Sequence, residues 1–84
     1  MQVTNRLGLH ARAAARFVQA ATRFRSRITL GRDGRAMDGK SILGILLLAA
    51  AQGSTLIVTA DGDDEEAAIQ ALTGLIAGRF GEDS

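Results

Sequence analysis

The sequence contains no cysteine and no proline, and it has a single histidine among 84 residues. Without cysteine, the chain can form neither a disulfide framework nor a thiolate metal site. One histidine also argues against structural zinc, which is usually bound by four cysteine or histidine ligands. A Walker loop, an HExxH segment and a GxGxxG segment after a strand are missing too. We therefore expect no metal site and no cofactor.

Long hydrophobic runs and biased segments are also absent. The most apolar stretch, Ile42 to Ala51, has ten residues, against the roughly 20 that a membrane-spanning helix needs. The start, MQVTNRLGLH, lacks the basic residues and apolar core of a signal peptide. We therefore expect a cytoplasmic protein without membrane insertion. No linker composition interrupts the chain, so we expect one domain over residues 1–84.

Charge is distributed unevenly, although the net charge is only +1. Residues 1–40 carry nine basic and two acidic groups, a net +7, and residues 41–84 carry one basic and seven acidic groups, a net −6. The basic half makes a nucleic-acid partner one hypothesis. However, the only aromatic residues are Phe17, Phe24 and Phe80, and they form no stacking platform among the basic residues. We therefore expect no nucleic-acid binding.

The hydrophobic pattern predicts helices and strands in alternation. In chain order we expect a strand at residues 2–4, a helix at 11–24, a hairpin at 26–38 that turns at Asp33-Gly34, a helix at 41–51, a strand at 54–60 and a helix at 63–80. This order indicates an α+β fold, an open-faced two-layer sandwich in which three helices cover one face of a four-stranded antiparallel sheet.

Capping residues predict where the helices begin and end. Ser41 has N-cap character before the second helix, and Asp63 and Glu66 have the spacing of a capping box before the third. Gly81 follows the predicted end of the third helix. The acidic run at residues 61–66 is interpreted as stabilising a helix dipole, not as a metal site.

His10 is the candidate for chemistry, because it precedes the first predicted helix in the segment GLHAR. A helix N-terminus favours an anion, and the backbone N–H groups of Ala11, Arg12 and Ala13 would support a phosphate there. The Arg12 side chain offers a planar guanidinium suited to phosphate oxygens. The same positive helix end disfavours the imidazolium, which leaves a nucleophilic lone pair on the ring. The alternative is that His10, like most lone histidines in small domains, is only structural.

Three segments together resemble the HPr phosphocarrier proteins of the bacterial phosphoenolpyruvate-dependent phosphotransferase system. They are NRLGLHARAAARFVQAA, DGKSILGILLLAAAQG and TADGDDEEAAIQALTGLI, and the resemblance extends from Val3 to Phe80. The pairing of GLHAR with GKSI is the specific element, because each half alone is weak. The resemblance implies an open-faced, four-stranded antiparallel sheet covered by three helices, which agrees with the predicted order.

The resemblance also implies roles for individual residues. It implies that His10 is phosphorylated on Nδ1 by enzyme I and donates to an enzyme II A domain, and that Arg12 stabilises the phosphoryl group. It implies that Ser41 is the regulatory serine phosphorylated by HPr kinase/phosphorylase in many bacteria. The protein would then be a monomeric carrier in a relay, not an autonomous enzyme.

The chain departs from the family pattern in two places. Ala13 stands where the family often has proline, as in HPr-like members of nitrogen-type branches, and this leaves the downstream acceptor open. Proline lacks a backbone N–H, whereas Ala13 keeps a donor that would assist the phosphate. Fewer residues than usual precede His10, so we expect a shortened edge strand.

A partner-docking surface is predicted on the first two helices. The second helix is apolar nearly all round, so part of it must face outward. In the family, the face beside the serine docks partners. We therefore expect one apolar and basic surface around His10, formed by Arg12, Arg16, Gln19, Arg23, Ile42, Leu43 and Leu46. The alternative is a solvated charged face beside an apolar helix.

A second hypothesis for function is a regulatory binding module that acts through Ser41 phosphorylation and the docking surface. The presence of His10 counts against a module that works through serine alone. As an N-cap, the Ser41 hydroxyl would contribute about 1 kcal/mol of stability without any regulation.

Overall fold

The computed structural model describes residues 1–83 and has the predicted α+β architecture. Its helices and strands, in chain order, are α1 (Ala11–Ala21), β1 (Arg27–Arg32), β2 (Arg35–Asp38), α2 (Ile42–Leu47), β3 (Ile57–Asp61) and α3 (Glu65–Ala77). A 3-10 turn, Arg79–Gly81, follows α3.

The sheet is antiparallel, with the strand order β2-β1-β3. Leu30 at its centre is paired with Met37 on one side and Val58 on the other. Leu30 is fully buried, and both partners pack against the same hydrophobic core. The neighbouring pair Thr29 and Thr59 points to the opposite face, where the two hydroxyl groups share a hydrogen bond of 2.7 Å. One face of the sheet is therefore covered and the other is open, as predicted.

The predicted first strand at residues 2–4 is wrong as a regular strand, so the sheet within residues 1–83 has three strands, not four. This segment makes only an isolated bridge between Gln2 and Thr55. Val3 is held there by two backbone hydrogen bonds of 2.8 Å, with Ser54 and Gly53. Val3 is 1% exposed, but Gln2 and Thr4 on either side of it are exposed, so one apolar anchor holds a segment too short for a ladder.

The hairpin is confirmed. Asp33 and Gly34 have φ angles of 53° and 81°, which is the pair of positive values that the predicted turn requires. β1 and β2 therefore follow one another with a two-residue connection.

The first two helices are shorter than predicted. α1 ends at Ala21 rather than Phe24, because Arg23 and Phe24 donate to carbonyls three residues back in tighter turns. α2 ends at Leu47 rather than Ala51. The Arg32 guanidinium from β1 donates to the carbonyls of Leu48 and Ala49 at 2.8 and 3.2 Å. Ala49 has a φ of 50°, which takes the chain out of the helix, and the contact with Arg32 satisfies the carbonyls that a longer helix would have used.

α3 is shorter than predicted too, because it ends at Ala77 rather than Phe80 and is followed by Gly78 rather than Gly81. The start of α3 also differs from the capping-box prediction. The N-cap is Asp64 rather than Asp63, and within residues 1–83 its side chain makes no capping hydrogen bond. Instead, the Asp64 carboxylate accepts hydrogen bonds from the Arg25 and Ser26 amides at 2.8 and 2.9 Å and from the Ser26 hydroxyl. The acidic residue therefore joins α3 to the loop after α1 instead of closing its own helix.

A single cluster of buried side chains fills the space between the helices and the sheet. The largest members, each less than 2% exposed, are Phe17, Phe80, Ile28, Leu30, Ile45, Leu48, Leu56, Leu72, Ile76 and Val3. Phe17 lies on α1 and Phe80 lies beyond the end of α3, so this core holds α1 and the C-terminal turn together.

Candidate functional site

His10 is the N-cap of α1 and has extended backbone angles. Its carbonyl accepts the first helical hydrogen bond, from the amide of Ala14 at 2.8 Å. Its side chain is 25% exposed, and Nδ1 accepts a hydrogen bond of 3.3 Å from the backbone N–H of Arg12. The imidazole therefore lies over the first turn of the helix, with one nitrogen directed at the free amides, as the sequence predicted.

The loop before His10 is fixed by close packing. Gly8 has a φ of +66°, and a Cβ at this position would lie 2.5 Å from the carbonyl oxygen of Ala50. The Leu9 amide donates to the same carbonyl oxygen at 2.8 Å. The buried Asn5 side chain donates to the carbonyl of Gly8 at 2.7 Å. The His10 backbone is therefore placed by a turn that only glycine fits.

Glu82 is a neighbour of His10 that the sequence did not reveal. Its Oε2 atom lies 2.7 Å from Nε2 of His10 and 2.9 Å from Nη2 of Arg12, and its Oε1 atom accepts from Nδ2 of Asn5 at 2.7 Å. The Glu82 side chain is only 9% exposed. It lies 72 residues from His10 in the sequence, so no local spacing connects the two.

Hydrogen bonds to the ionised form control the acidity of Glu82. Hydrogen bonds from the Arg12 guanidinium first, then from the Asn5 amide and His10, outweigh the opposing effect of burial and lower the pKa of the Glu82 carboxyl to about 2. Glu82 is therefore a carboxylate at neutral pH and can only accept hydrogen bonds.

These contacts determine which nitrogen of the His10 ring bears the proton. A carboxylate at Nε2 requires a donor there, so Nε2 carries the hydrogen. The Arg12 N–H directed at Nδ1 requires an acceptor, so Nδ1 keeps its lone pair. The nitrogen that carries no hydrogen is therefore the one nearest the helix amides.

An open cleft of about 450 Å³ lies beside the Arg12 and Glu82 side chains, and its lining is rich in arginine. It is lined by Arg6, Leu7, Arg12, Arg16, Gly81, Glu82 and Asp83. His10 is not among these residues. Arg12 and Glu82 line the cleft and also form hydrogen bonds with the His10 side chain. Arg16 is partly engaged elsewhere, because its guanidinium donates to the carbonyl of Phe80.

The residues of the predicted basic stripe lie on α1 or, in the case of Arg23, in the turn that follows it. Arg12 has a side chain that is 61% exposed, and Gln19 and Arg23 are also exposed. Arg16 is half-buried because it reaches back to the C-terminal turn. The backbone of Ala11 and Ala13 forms the first turn of α1, as predicted.

The apolar part of the predicted docking surface needs one correction. Ile42 and Leu43 are exposed by 42% and 67%, but Leu46 is half-buried and packs against the core. Leu47 is 56% exposed instead. Leu46 packs against the core beside the buried Ile45. The exposed apolar position on this side of the short helix is therefore Leu47. Leu7, which is 63% exposed, was not predicted.

Ser41 caps α2 as predicted. Its hydroxyl oxygen accepts a hydrogen bond of 3.1 Å from the amide of Gly44, and its backbone angles are extended. The side chain is half-buried, so part of it stays accessible.

Within residues 1–83, no group of three or more histidine, cysteine, aspartate or glutamate side chains could hold a metal ion. In the same part of the chain, every helix is too short or too polar to cross a membrane.

An open-faced α+β sandwich with a histidine at the start of its first helix is the architecture of a phosphocarrier domain, and known proteins identify the family. The family model described as "PTS HPr component phosphorylation site" matches residues 1–78. Phosphocarrier protein HPr of Xylella fastidiosa, strain Temecula1, is 51% identical over 84 residues, which are 100% of this chain and 94% of that protein.

Two solved structures from Thermoanaerobacter tengcongensis are similar as well. HPr-C-His gives a TM-score of 0.95 at 46% identity and covers 100% of this chain and 94% of its own. A structure described as an HPr dimer gives a TM-score of 0.83 at 48% identity and covers 98% and 94%. The chain therefore belongs to the HPr family of phosphocarrier proteins of the phosphotransferase system. The family and the phosphocarrier function predicted from the sequence are confirmed.

Proposed function

We propose that Nδ1 of His10 accepts a phosphoryl group from phosphorylated enzyme I and passes it to an enzyme II A domain. The observation that supports this most directly is the hydrogen bond from the Arg12 amide to Nδ1, because a nitrogen that accepts a hydrogen bond at the start of α1 carries no hydrogen of its own. The reaction is inferred from family membership, and the reacting atom is inferred from the hydrogen bonds of the His10 ring.

In the acceptance step, the Arg12 N–H releases Nδ1, whose lone pair forms a bond to phosphorus while the bond from phosphorus to the donor breaks, and the donor keeps that electron pair. The hydrogen on Nε2 stays on the ring. The phosphoryl oxygens then face the first-turn amides of Ala11, Arg12 and Ala13, which have no acceptor within the helix. Transfer to the next protein is the same exchange in reverse.

The Arg12 guanidinium is the cation closest to this reaction. It is held by Glu82 at 2.9 Å in the unphosphorylated protein, but most of its side chain is exposed. An exposed arginine can leave one carboxylate and form a bidentate contact with a phosphoryl group that carries more charge. Arg12 therefore stabilises the phosphorylated state without a metal ion.

The test is to incubate the protein with phosphoenolpyruvate and enzyme I and to follow its mass. We expect the gain of one phosphate that is labile in acid and stable in alkali. His10→Ala should gain none, and Arg12→Ala should gain it more slowly. An acid-labile phosphate that persists in His10→Ala would show that another residue is the acceptor.

The docking surface is proposed to consist of α1 and the exposed side of α2. Arg12, Gln19 and Arg23 supply the polar part, and Ile42, Leu43 and Leu47 supply the apolar part. Arg16 borders this surface from the cleft. The two helices pack against one another, so their outer sides adjoin. Enzyme I and the enzyme II A domain would use this surface in turn, and the reaction would take place in the cytoplasm.

Regulation through Ser41 is a separate proposal. The hydroxyl is half-buried as the cap of α2, and phosphorylation would place about two negative charges beside Ile42 and Leu43. A purified HPr kinase/phosphorylase should add an acid-stable phosphate to the protein but not to Ser41→Ala. The phosphocarrier function is the better supported reading, because family and relatives carry that description.

We propose that the protein works as a monomer, although one relative is described as a dimer. Light scattering of the eluting protein should give the mass of one chain.

A further inference from the structure

The C-terminal turn, which places Glu82 beside His10, contains two residues with positive φ angles. Arg79 and Phe80 have φ angles of 58° and 55°, in the left-handed region that non-glycine residues rarely occupy. Phe80 is fully buried, and its carbonyl accepts from the Arg16 guanidinium of α1. Burial and this hydrogen bond hold the reversed chain in place. Glu82 therefore reaches the site on a fixed turn rather than on a loose tail.

Three donors converge on the two oxygens of Glu82. They come from the ring of His10, the guanidinium of Arg12 and the side-chain amide of Asn5, at 2.7, 2.9 and 2.7 Å. Asn5 uses its second N–H to hold the carbonyl of Gly8. Only a group with two accepting oxygens satisfies all three donors, because an amide in its place would present an N–H to one of them.

We infer that Glu82 is a positioning residue for phosphoryl transfer, which holds the Nε2 hydrogen of His10 and thereby presents Nδ1 as the attacking nitrogen. This inference rests on the proposed function of His10. In acceptance, the Nδ1–P bond forms and the bond from phosphorus to the donor breaks, while the Nε2 hydrogen stays in its hydrogen bond to Glu82. Glu82 forms no bond to phosphorus. It also keeps Arg12 beside the ring until the phosphoryl group arrives.

The first test uses the unphosphorylated protein and needs no enzyme I. At about pH 9, where an ordinary imidazole is neutral, the ring nitrogens of ¹⁵N-labelled protein report the tautomer by NMR. We expect wild type to show Nε2–H alone, with a slowly exchanging proton. Glu82→Ala and Glu82→Gln should show faster exchange of that proton and a measurable share of Nδ1–H. Identical spectra in wild type and both variants would overturn the inference.

The second test is kinetic. Glu82→Gln should slow the maximal rate of phosphoryl acceptance about tenfold, with little change in the concentration of enzyme I that gives half this rate. An altered half-saturating concentration with an unchanged maximal rate would mean that Glu82 belongs to the docking surface, and would overturn the inference.

The matched control is Glu66→Gln, the same change at an exposed position on α3 outside the cleft, and it should leave both readouts at the wild-type value. If the control changed both readouts as much as Glu82→Gln does, the loss of any one negative charge would explain the result. That outcome would contradict positioning by Glu82. Thermal unfolding and backbone NMR spectra identify any variant that has lost the fold. If Glu82→Ala is unfolded, Glu82→Gln alone decides the tautomer test. The NMR result stands whether or not His10 proves to be the phosphoryl acceptor, so the two proposals fail separately.

Discussion

At the scale of single residues, His10 could be identified from its neighbours, because its helix and Arg12 lie within a few positions of it. The free amides of a helix N-terminus are a local feature, and the structure shows His10 Nδ1 facing one of them. Asn5 and Glu82 have no such signal. A buried asparagine and an acidic residue near the chain end look ordinary until folding brings them together at 2.7 Å.

The close packing at Gly8 gives a prediction at the scale of single residues. Gly8→Ala should lower the free energy of unfolding by roughly 1–3 kcal/mol more than Gly53→Ala, because the new Cβ would lie 2.5 Å from the backbone oxygen of Ala50. Gly53 is the matched control. It has a φ of +90°, so alanine is strained there too, but a Cβ would meet nothing within 4 Å. Urea unfolding measures both variants, and equal losses would show that the close packing at Gly8 is unimportant.

At the scale of elements, hydrophobic periodicity identified all three helices and the hairpin, but it misplaced several boundaries. A continuous run of alanine and leucine gives no reason to stop α2 at Leu47. The reason is tertiary: Arg32 from β1 takes the carbonyls of Leu48 and Ala49, and the chain then bends to meet Leu9. Helix propensity is a weak preference, and a few hydrogen bonds from outside the helix outweigh it.

Arg32 gives the element-scale prediction. Arg32→Met should lower the free energy of unfolding by about 1–2 kcal/mol, because it leaves the carbonyls at the end of α2 without their charged donor. Arg35→Met is the control, since Arg35 is the exposed cross-strand partner of Arg32 in the hairpin. Urea unfolding gives the free energies, and hydrogen exchange should show faster opening of α2 in Arg32→Met alone. Losses of similar size in both variants would contradict the role of Arg32 at this helix end.

At the scale of the whole molecule, ionised carboxylates join parts of the chain that are distant in sequence. Asp64 connects α3 to the loop after α1, where the Ser26 hydroxyl and next the Arg25 amide lower the pKa of its carboxyl to about 2. Glu82 connects the C-terminal turn to the start of α1 in the same way. The hydrophobic core holds the helices and the sheet together. The two carboxylate contacts fix the C-terminal turn against the start of α1, and α3 against the loop after α1.

Acid unfolding tests the Asp64 contact. A carboxyl whose pKa is lower in the folded state than in the unfolded chain stabilises the fold above its unfolded pKa of 3.8, and this contribution is lost as the pH falls through about 2. Asp64→Asn should therefore be less stable than wild type at pH 6, and the difference should shrink between pH 4 and pH 2. Asp63→Asn, at the neighbouring exposed position, is the control and should show no such convergence. A constant difference between Asp64→Asn and wild type over this range would contradict the assignment.

The sequence by itself determined the α+β class, the open-faced sheet, the hairpin turn and His10 with Arg12, because each depends on periodicity or on neighbours a few residues apart. Only the tertiary structure decided the ends of α2 and α3, the bridge that replaces the first strand, the exposure of Leu47 in place of Leu46, and the carboxylate at Nε2. These features depend on groups that meet through space. Glu82 reaches His10 because α3 packs on the common core and the buried Phe80 reverses the chain, and no pattern along the sequence records that path.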